Sequence, residues 1–206
     1  MFEAATHDIL TAKQARRCNI ARISYIEKNG APPEVAEIFG KMEANGAPVM
    51  NLWKMAAHIP ATLPHFIRMG NAILTKTRLD PKLREMVILR TADIMDCEYE
   101  HRAHIVLAKE LGVTSEKIEA IKDWKSSTAF SKAERAVLRF ADEVVKKGRV
   151  GDATFGRLAK YLDAGMMVEV AQVAGFYGMI ARLLLAFEVD LDKEAPASST
   201  SIVGRR

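Results

Sequence analysis

Cysteine is scarce in this chain: two residues in 206, Cys18 and Cys97, are too few for the disulfide framework that staples small secreted domains. The N-terminus has no basic stretch followed by an apolar run, so a secretory signal is not expected. Uncharged apolar runs of about twenty residues, the length a bilayer demands, are missing as well. The longest candidate, "GMMVEVAQVAGFYGMIARLLLAF", is interrupted by Glu169, Gln172 and Arg182 and reads as a core or interface helix, with no membrane as partner. These absences point to the cytoplasm, where a thiol rests reduced. Basic clusters interleaved with aromatics are also lacking. The formal charge is +4, from 30 basic and 26 acidic residues, and two of the positive charges are the final Arg205 and Arg206. No nucleic-acid partner is expected from such a balance. There is no GxGxxG, no phosphate-binding glycine-rich loop and no G-x-S-x-G, so no nucleotide cofactor or serine nucleophile is expected.

What the chain does have is helical periodicity. Hydrophobic residues make up 49% of it, enough for a sizeable core, and they recur at spacings of three and four, while period-two alternation is nearly absent. The expected fold class is all-α. A first helix is expected over about Lys13–Asn29, and a second opens at Pro32–Pro33 and stops at Gly46. Two short helices follow around a turn broken by Pro60 and Pro64. Asp80 and Pro81 start a helix running to about Ile94, and Asp96 is expected to cap the next, from Cys97 to Leu111 before Gly112. Thr114 or Ser115 caps another, and Ser131 with Glu134 forms a capping box. Helices over about 152–162 and 166–187 complete the set. "PVM" and "FEVDL" resemble strands but have no partner. The chain divides into an N-terminal helical extension over 1–48, a helical domain over 49–190 and a flexible tail over 191–206.

Chemistry concentrates in "MDCEYEHRAH", residues 95–104. On a helix, Cys97, Glu100, His101 and His104 stand at i, i+3, i+4 and i+7 and share a face. A thiol in a first helical turn is favoured as thiolate by free N–H groups, but Glu98 and Glu100 oppose this. Glu100 lies one turn from His104 and is suited to orient its imidazole for acid–base work. Glu85, on the preceding helix, falls near the apolar face of Met86 and Leu89, where an unpaired carboxylate would be costly. The spacing of Cys97, His101 and His104 permits three metal ligands, but no second cluster completes a site, and no metal is expected. His58 and His65 flank the proline-broken turn; His65, with His101, is a candidate for lining a substrate pocket. Arg90 is a candidate cation for an anionic substrate, with a salt bridge to an acidic neighbour as the competing role.

The segment "LDPKLREMVILRTADIMDCEYEHRAHIVLAKELGVTSEKIEAI", residues 79–121, resembles the core motif of the carboxymuconolactone decarboxylase and alkylhydroperoxidase D-like (AhpD-like) superfamily, and the likeness extends over about residues 50–190. The resemblance implies an AhpD-like helical bundle assembled as a homo-oligomer (dimer, trimer or hexamer). It implies a peroxidase branch built on a glutamate, a Cys-x-x-Cys pair and a histidine. Glu85, Cys97 and His104 match the glutamate, the first cysteine and the histidine, whereas Glu100 stands where the second, peroxide-attacking cysteine belongs. An internal dithiol cycle is thus ruled out within this one-cysteine "CEYE…H" pattern, and Cys18 would serve only if the fold brought it within disulfide reach. The resemblance equally implies a decarboxylase branch that works without metal or organic cofactor. There His104 would be the general acid or base with Glu100 as orienting partner, Glu85 would handle a second proton, and Cys97 could donate to an enolate. The leading expectation is a cofactor-free acid–base enzyme for a small carboxylated or lactone-type substrate. The alternatives are a thiol-dependent peroxidase using Cys97 and a non-catalytic helical member.

Overall fold

The structure, a computed structural model, describes residues 21–193. Among them every regular element is a helix: α1 (Pro33–Ala44), α2 (Asn51–Ala56), α3 (Leu63–Thr75), α4 (Pro81–Met95), α5 (Glu98–Glu110), α6 (Ser115–Ala120), a 3-10 turn at Ile121–Asp123, α7 (Lys132–Lys147), α8 (Asp152–Leu158) and α9 (Ala164–Ala186). Neither "PVM" nor "FEVDL" forms a strand. The expected bundle is therefore found, with helix ends where the local chemistry places them. Pro33 opens α1, and Gly46 follows it with φ of 74°. Asp80 accepts the Lys82 N–H ahead of α4, Thr114 that of Lys117 ahead of α6, and Asp163 that of Met166 ahead of α9. Ser131 and Glu134 close the reciprocal box at α7.

Two expectations are corrected. Residues 21–29, the described part of the expected Lys13–Asn29 helix, are irregular. Their backbone donors go to distant partners: Arg22 N–H to the Phe187 carbonyl and Ile26 N–H to that of Lys54. Tyr25 reinforces this by donating its hydroxyl to Asp190. The rest of that helix, Cys18 included, and the tail from residue 194 lie outside the described residues. The second correction concerns Asp96, which does not cap α5. It closes α4 in the left-handed region with φ of 54°, a conformation aspartate tolerates better than most residues. The Cys97 N–H then reaches back to the Ala92 carbonyl at 2.9 Å, leaving Cys97 itself at the N-cap of α5.

Helix α4 is the structural axis, buried without interruption from Arg84 to Ala92. Val87 and Ile88 face the larger core, shared with Val35 and Phe39 of α1, Val173 and Tyr177 of α9, and Val137 of α7. Met86 and Leu89 face a smaller core with Ala108, Ile121, Trp124 and Leu138. A helix enclosed on all sides must satisfy its own polar side chains internally. Arg90 does so by pairing with Asp142 of α7 at 2.6 Å and donating to the carbonyls of Lys122 and Ile121. Helix α9 is long and apolar enough, by length and composition, to cross a bilayer; here half of that stretch is buried inside the bundle, and Glu169 on it accepts the N–H groups of Arg78 and Leu79 at the entry to α4.

Candidate functional site

The corner between α4 and α5 brings Glu85 beneath His104. Both are buried, and the His104 Nδ1 lies 2.8 Å from Glu85 Oε2. The other Glu85 oxygen accepts from Arg84 Nε at 3.1 Å, so the carboxylate is held from two sides. Across the ring, His104 Nε2 faces Glu100 Oε2 at 3.7 Å, beyond hydrogen-bond length. Glu100 is 3% exposed, and this oxygen has no hydrogen-bond partner. Glu85 is thus the residue that orients the imidazole, the part expected of Glu100. The reason is geometric: an (i, i+4) carboxylate meets the ring at a distance, whereas Glu85 approaches Nδ1 directly from the packed neighbouring helix.

His104 and Glu100 border a small, partly enclosed cavity of about 30 Å³, room for about one water. Its wall is apolar and aromatic, including Met50, Leu52, Trp53, Leu74, Phe176 and Tyr177, with no lysine or arginine among the described residues. Tyr177 meets the His104 ring edge-on, centroids 4.9 Å apart at 89°. Burial pushes the Glu100 carboxyl up to about 7; the His104 charge opposes that shift and the Glu85 charge adds to it. For His104, burial works against the charged ring, but the charge and hydrogen bond of Glu85, with the Glu100 charge, carry it above the ordinary histidine value. Glu100 thus keeps its proton to higher pH than an ordinary carboxyl and His104 to higher pH than an ordinary imidazole, shifts of the kind found at acid–base sites.

Cys97 and His101 face elsewhere. They border a second, open cavity of about 410 Å³ with Asp93, Asp96, Glu98 and Lys122. His101 Nδ1 lies 3.0 Å from Asp93 Oδ1. Cys97 forms no disulfide and is 2% exposed. Burial pushes its thiol up to about 11; the N–H groups of Glu100 and Tyr99 only partly offset this, and the Glu100 and Asp96 charges add to it. The expected single face is thus divided. Residues at i, i+3, i+4 and i+7 span an arc of about 100°, wide enough for its two edges to serve different cavities.

The remaining candidates stand apart. Arg90 donates from Nε to Asp142 and from Nη1 to two carbonyls and borders neither cavity, so the competing salt bridge is the one formed. His65 is exposed and pairs with Arg68 at 2.9 Å, bordering neither cavity, and His58 contacts the Ser24 carbonyl at 2.7 Å. Among the described residues no group of three or more His, Cys, Asp or Glu is placed to hold a metal ion. Tyr177 and Asp93 escape sequence reading. The first sits in an apolar run that reads as core, and the second is separated from its partner by a helix boundary.

Residues 60–143 match the carboxymuconolactone decarboxylase family. The chain is 31% identical over 115 residues to the uncharacterized protein YnjA of Escherichia coli (strain K12), covering 55% of this chain and 63% of that protein. It thus spans less than two thirds of the length of that relative. Its fold is similar to the alkylhydroperoxidase AhpD core of an uncharacterized peroxidase-related protein from Ralstonia eutropha JMP134. The TM-score is 0.75 at 19% identity, covering 92% of this chain and 100% of that one. An uncharacterized peroxidase-related protein from Silicibacter sp. TM1040 gives a TM-score of 0.72 at 20% identity, covering 82% and 91% respectively. The AhpD-like helical fold is common to all of these structures.

Proposed function

We propose that this protein is an acid–base enzyme of the carboxymuconolactone decarboxylase-like kind, acting on a small lactone-type substrate with proton donors and acceptors drawn from the chain itself. One observation carries the reading: His104 and Glu100 border one small cavity, with Nε2 3.7 Å from an unpartnered Glu100 oxygen, while Glu85 holds the opposite ring nitrogen. With Nδ1–H donated to Glu85, the Glu100–His104 pair has one further proton to share. The form lacking an extra proton accepts one from a carbon beside a carbonyl, and the protonated form returns it to another carbon. The C–H electron pair passes meanwhile into an enolate. Loss of carbon dioxide from such a ring would use the same electron sink and the same returning proton.

The wall favours the lactone over the carboxylated substrate, because among the described residues the only group on it able to carry positive charge is His104. A five-membered lactone is larger than the cavity, so entry displaces part of the wall. Met50 is suited to yield, since methionine is unbranched and adaptable and this one borders both the cavity and an outer groove of about 990 Å³. The test is proton exchange in deuterium oxide with α-angelica lactone, a small ring carrying acidic hydrogens beside its carbonyl, followed by NMR. Exchange catalysed by the wild type and lost in His104→Ala supports the proposal; equal exchange in both proteins refutes it.

A second reading rests on Cys97, an unpaired thiol bordering an open cavity that would admit a small hydroperoxide. The thiolate would attack the distal oxygen, giving a sulfenic acid and an alcohol, and two equivalents of an external thiol would return the cysteine with release of water and a disulfide. Burial and the raised thiol pKa weigh against it. Peroxide consumption that survives in Cys97→Ser would remove it.

A further inference from the structure

The acid–base proposal leaves one requirement open. When the C–H pair passes into the carbonyl, negative charge develops on oxygen, and a preorganised donor must meet it there. The candidates are the neutral donors that border the cavity with Glu100 and His104: Tyr99, Tyr177, Asn71 and Trp53.

Tyr99 is committed, because its hydroxyl donates to Asp192 and accepts the Leu52 N–H at 3.3 Å. Asn71 is only half-buried, so water can satisfy it. Trp53 packs edge-on against Phe66, whereas Tyr177 packs on the His104 ring itself. Tyr177 is 4% exposed, its ring is locked edge-on between His104 and Phe176, and no hydrogen-bond partner for its hydroxyl occurs among the described residues. The Glu100 oxygen in the same cavity is likewise without a partner. Buried polar groups are nearly always hydrogen-bonded, and an exception calls for an explanation. Glu100 is such an exception, and a molecule bound in the cavity that completes it comes within reach of Tyr177, which borders the same cavity.

Resting on the acid–base reading, we infer that Tyr177 is a catalytic hydrogen-bond donor, holding the carbonyl oxygen of the bound lactone while the Glu100–His104 pair moves the proton at carbon. In this step the C–H bond breaks, its electron pair forms the enolate C=C bond, the carbonyl π pair moves onto oxygen, and the proton rests on the Glu100–His104 pair. The Tyr177 O–H bond stays intact and only its hydrogen bond tightens. The surroundings suit this role: burial, followed by the charges of Glu85 and Glu100, holds the Tyr177 hydroxyl well above the ordinary tyrosine value, so it remains a donor throughout.

The experiment uses two probes of nearly the same size. Tetronate is a stable enolate of a five-membered lactone, and γ-butyrolactone is its neutral counterpart. Calorimetry with the full chain is expected to show tighter binding of tetronate. Tyr177→Phe is expected to weaken tetronate by at least about tenfold, as for loss of a hydrogen bond to a charged group, and γ-butyrolactone by only a few-fold. Replacement of Tyr177 by 3-fluorotyrosine keeps the ring in place and makes the hydroxyl more acidic; it is expected to tighten tetronate. If Y177F and the fluorinated protein both bind tetronate as the wild type does, or if Asn71→Ala instead abolishes the preference, the role of Tyr177 is overturned while the Glu100–His104 pair stands. If the wild type does not prefer tetronate to γ-butyrolactone, the acid–base reading falls and the donor with it.

Discussion

The two sides of α5 carry similar residue types in opposite settings. On one side a histidine and a glutamate are buried beside a small aromatic cavity, and a second buried carboxylate fixes the ring. On the other, a histidine and an aspartate pair at the edge of an open, water-accessible hollow, with the cysteine beneath them. Burial moves the titrating groups of the two sides differently. It brings Glu100 to about 7, within working range, and takes Cys97 to about 11, out of it. The same desolvation that prepares a carboxyl to exchange protons at neutral pH thus quiets a thiol, since both are penalised in their anionic forms. The presence of a nucleophile in a sequence is therefore a weaker guide to its role than its burial.

The largest expected contrast is between His104→Ala and Cys97→Ser. The first should lower lactone proton exchange by about 1,000-fold, within the range for a general acid–base group, and the second by no more than a few-fold. A reversed order would move the chemistry to the open side. Next is Glu85→Gln, which leaves Arg84 and His104 buried without their common anion. Loss of one partner from a buried ion pair costs about 3–5 kcal/mol, and urea unfolding should show a loss on that scale. Arg90→Ala leaves Asp142 only the longer ion pairs with Lys125 and Lys146 and should cost less, about 2 kcal/mol, while leaving the exchange rate per folded molecule unchanged. A fall in that rate would restore Arg90 to the site.

An effect of similar scale concerns pH. The Glu100 carboxyl is raised from 4.5 to about 7 in the folded protein, so the folded state holds its proton more tightly than the unfolded one. This contribution is fully present below pH 4.5, and stability declines as pH rises toward 7, by an amount on the order of 3 kcal/mol. His104, also raised, works in the same direction above its unfolded value. Denaturant midpoints of Glu100→Gln should therefore fall less between pH 5 and 8 than those of the wild type; parallel curves would show that Glu100 does not titrate as a buried group. The smallest contrast lies on the open side. Iodoacetamide at pH 8 should label Cys97 at least about tenfold more slowly than a free peptide thiol, in keeping with a buried and raised cysteine. Faster labelling would revive the thiol reading.

Much of this could be read from residues alone, for reasons that are local. Asp80 before Pro81, Ser131 three residues before Glu134, and Gly46 after α1 are signals complete within a few residues, and the structure places helix ends at each. The grouping of Glu85 with His104 followed from the family pattern. The division of the face did not, because periodicity fixes the angle of a residue on its helix and says nothing of which neighbour stands opposite. The exchange of parts between Glu85 and Glu100 has the same origin, as does the commitment of Arg90 to Asp142, 52 residues away. Residues 21–29 looked helical by composition, yet their donors are drawn to Phe187 and Lys54, partners invisible to a local pattern.

The central claim, that Glu85 fixes His104 so that its Nε2 shares a proton with Glu100 beside the small aromatic cavity, is tested most directly by nitrogen-15 NMR of the imidazole between pH 5 and 9. The account predicts Nδ1 protonated throughout, Nε2 titrating above the ordinary histidine value, and a lower transition in Glu100→Gln because the charge that raises it is gone. A His104 that titrates like a free imidazole, at the same pH in both proteins, would contradict it.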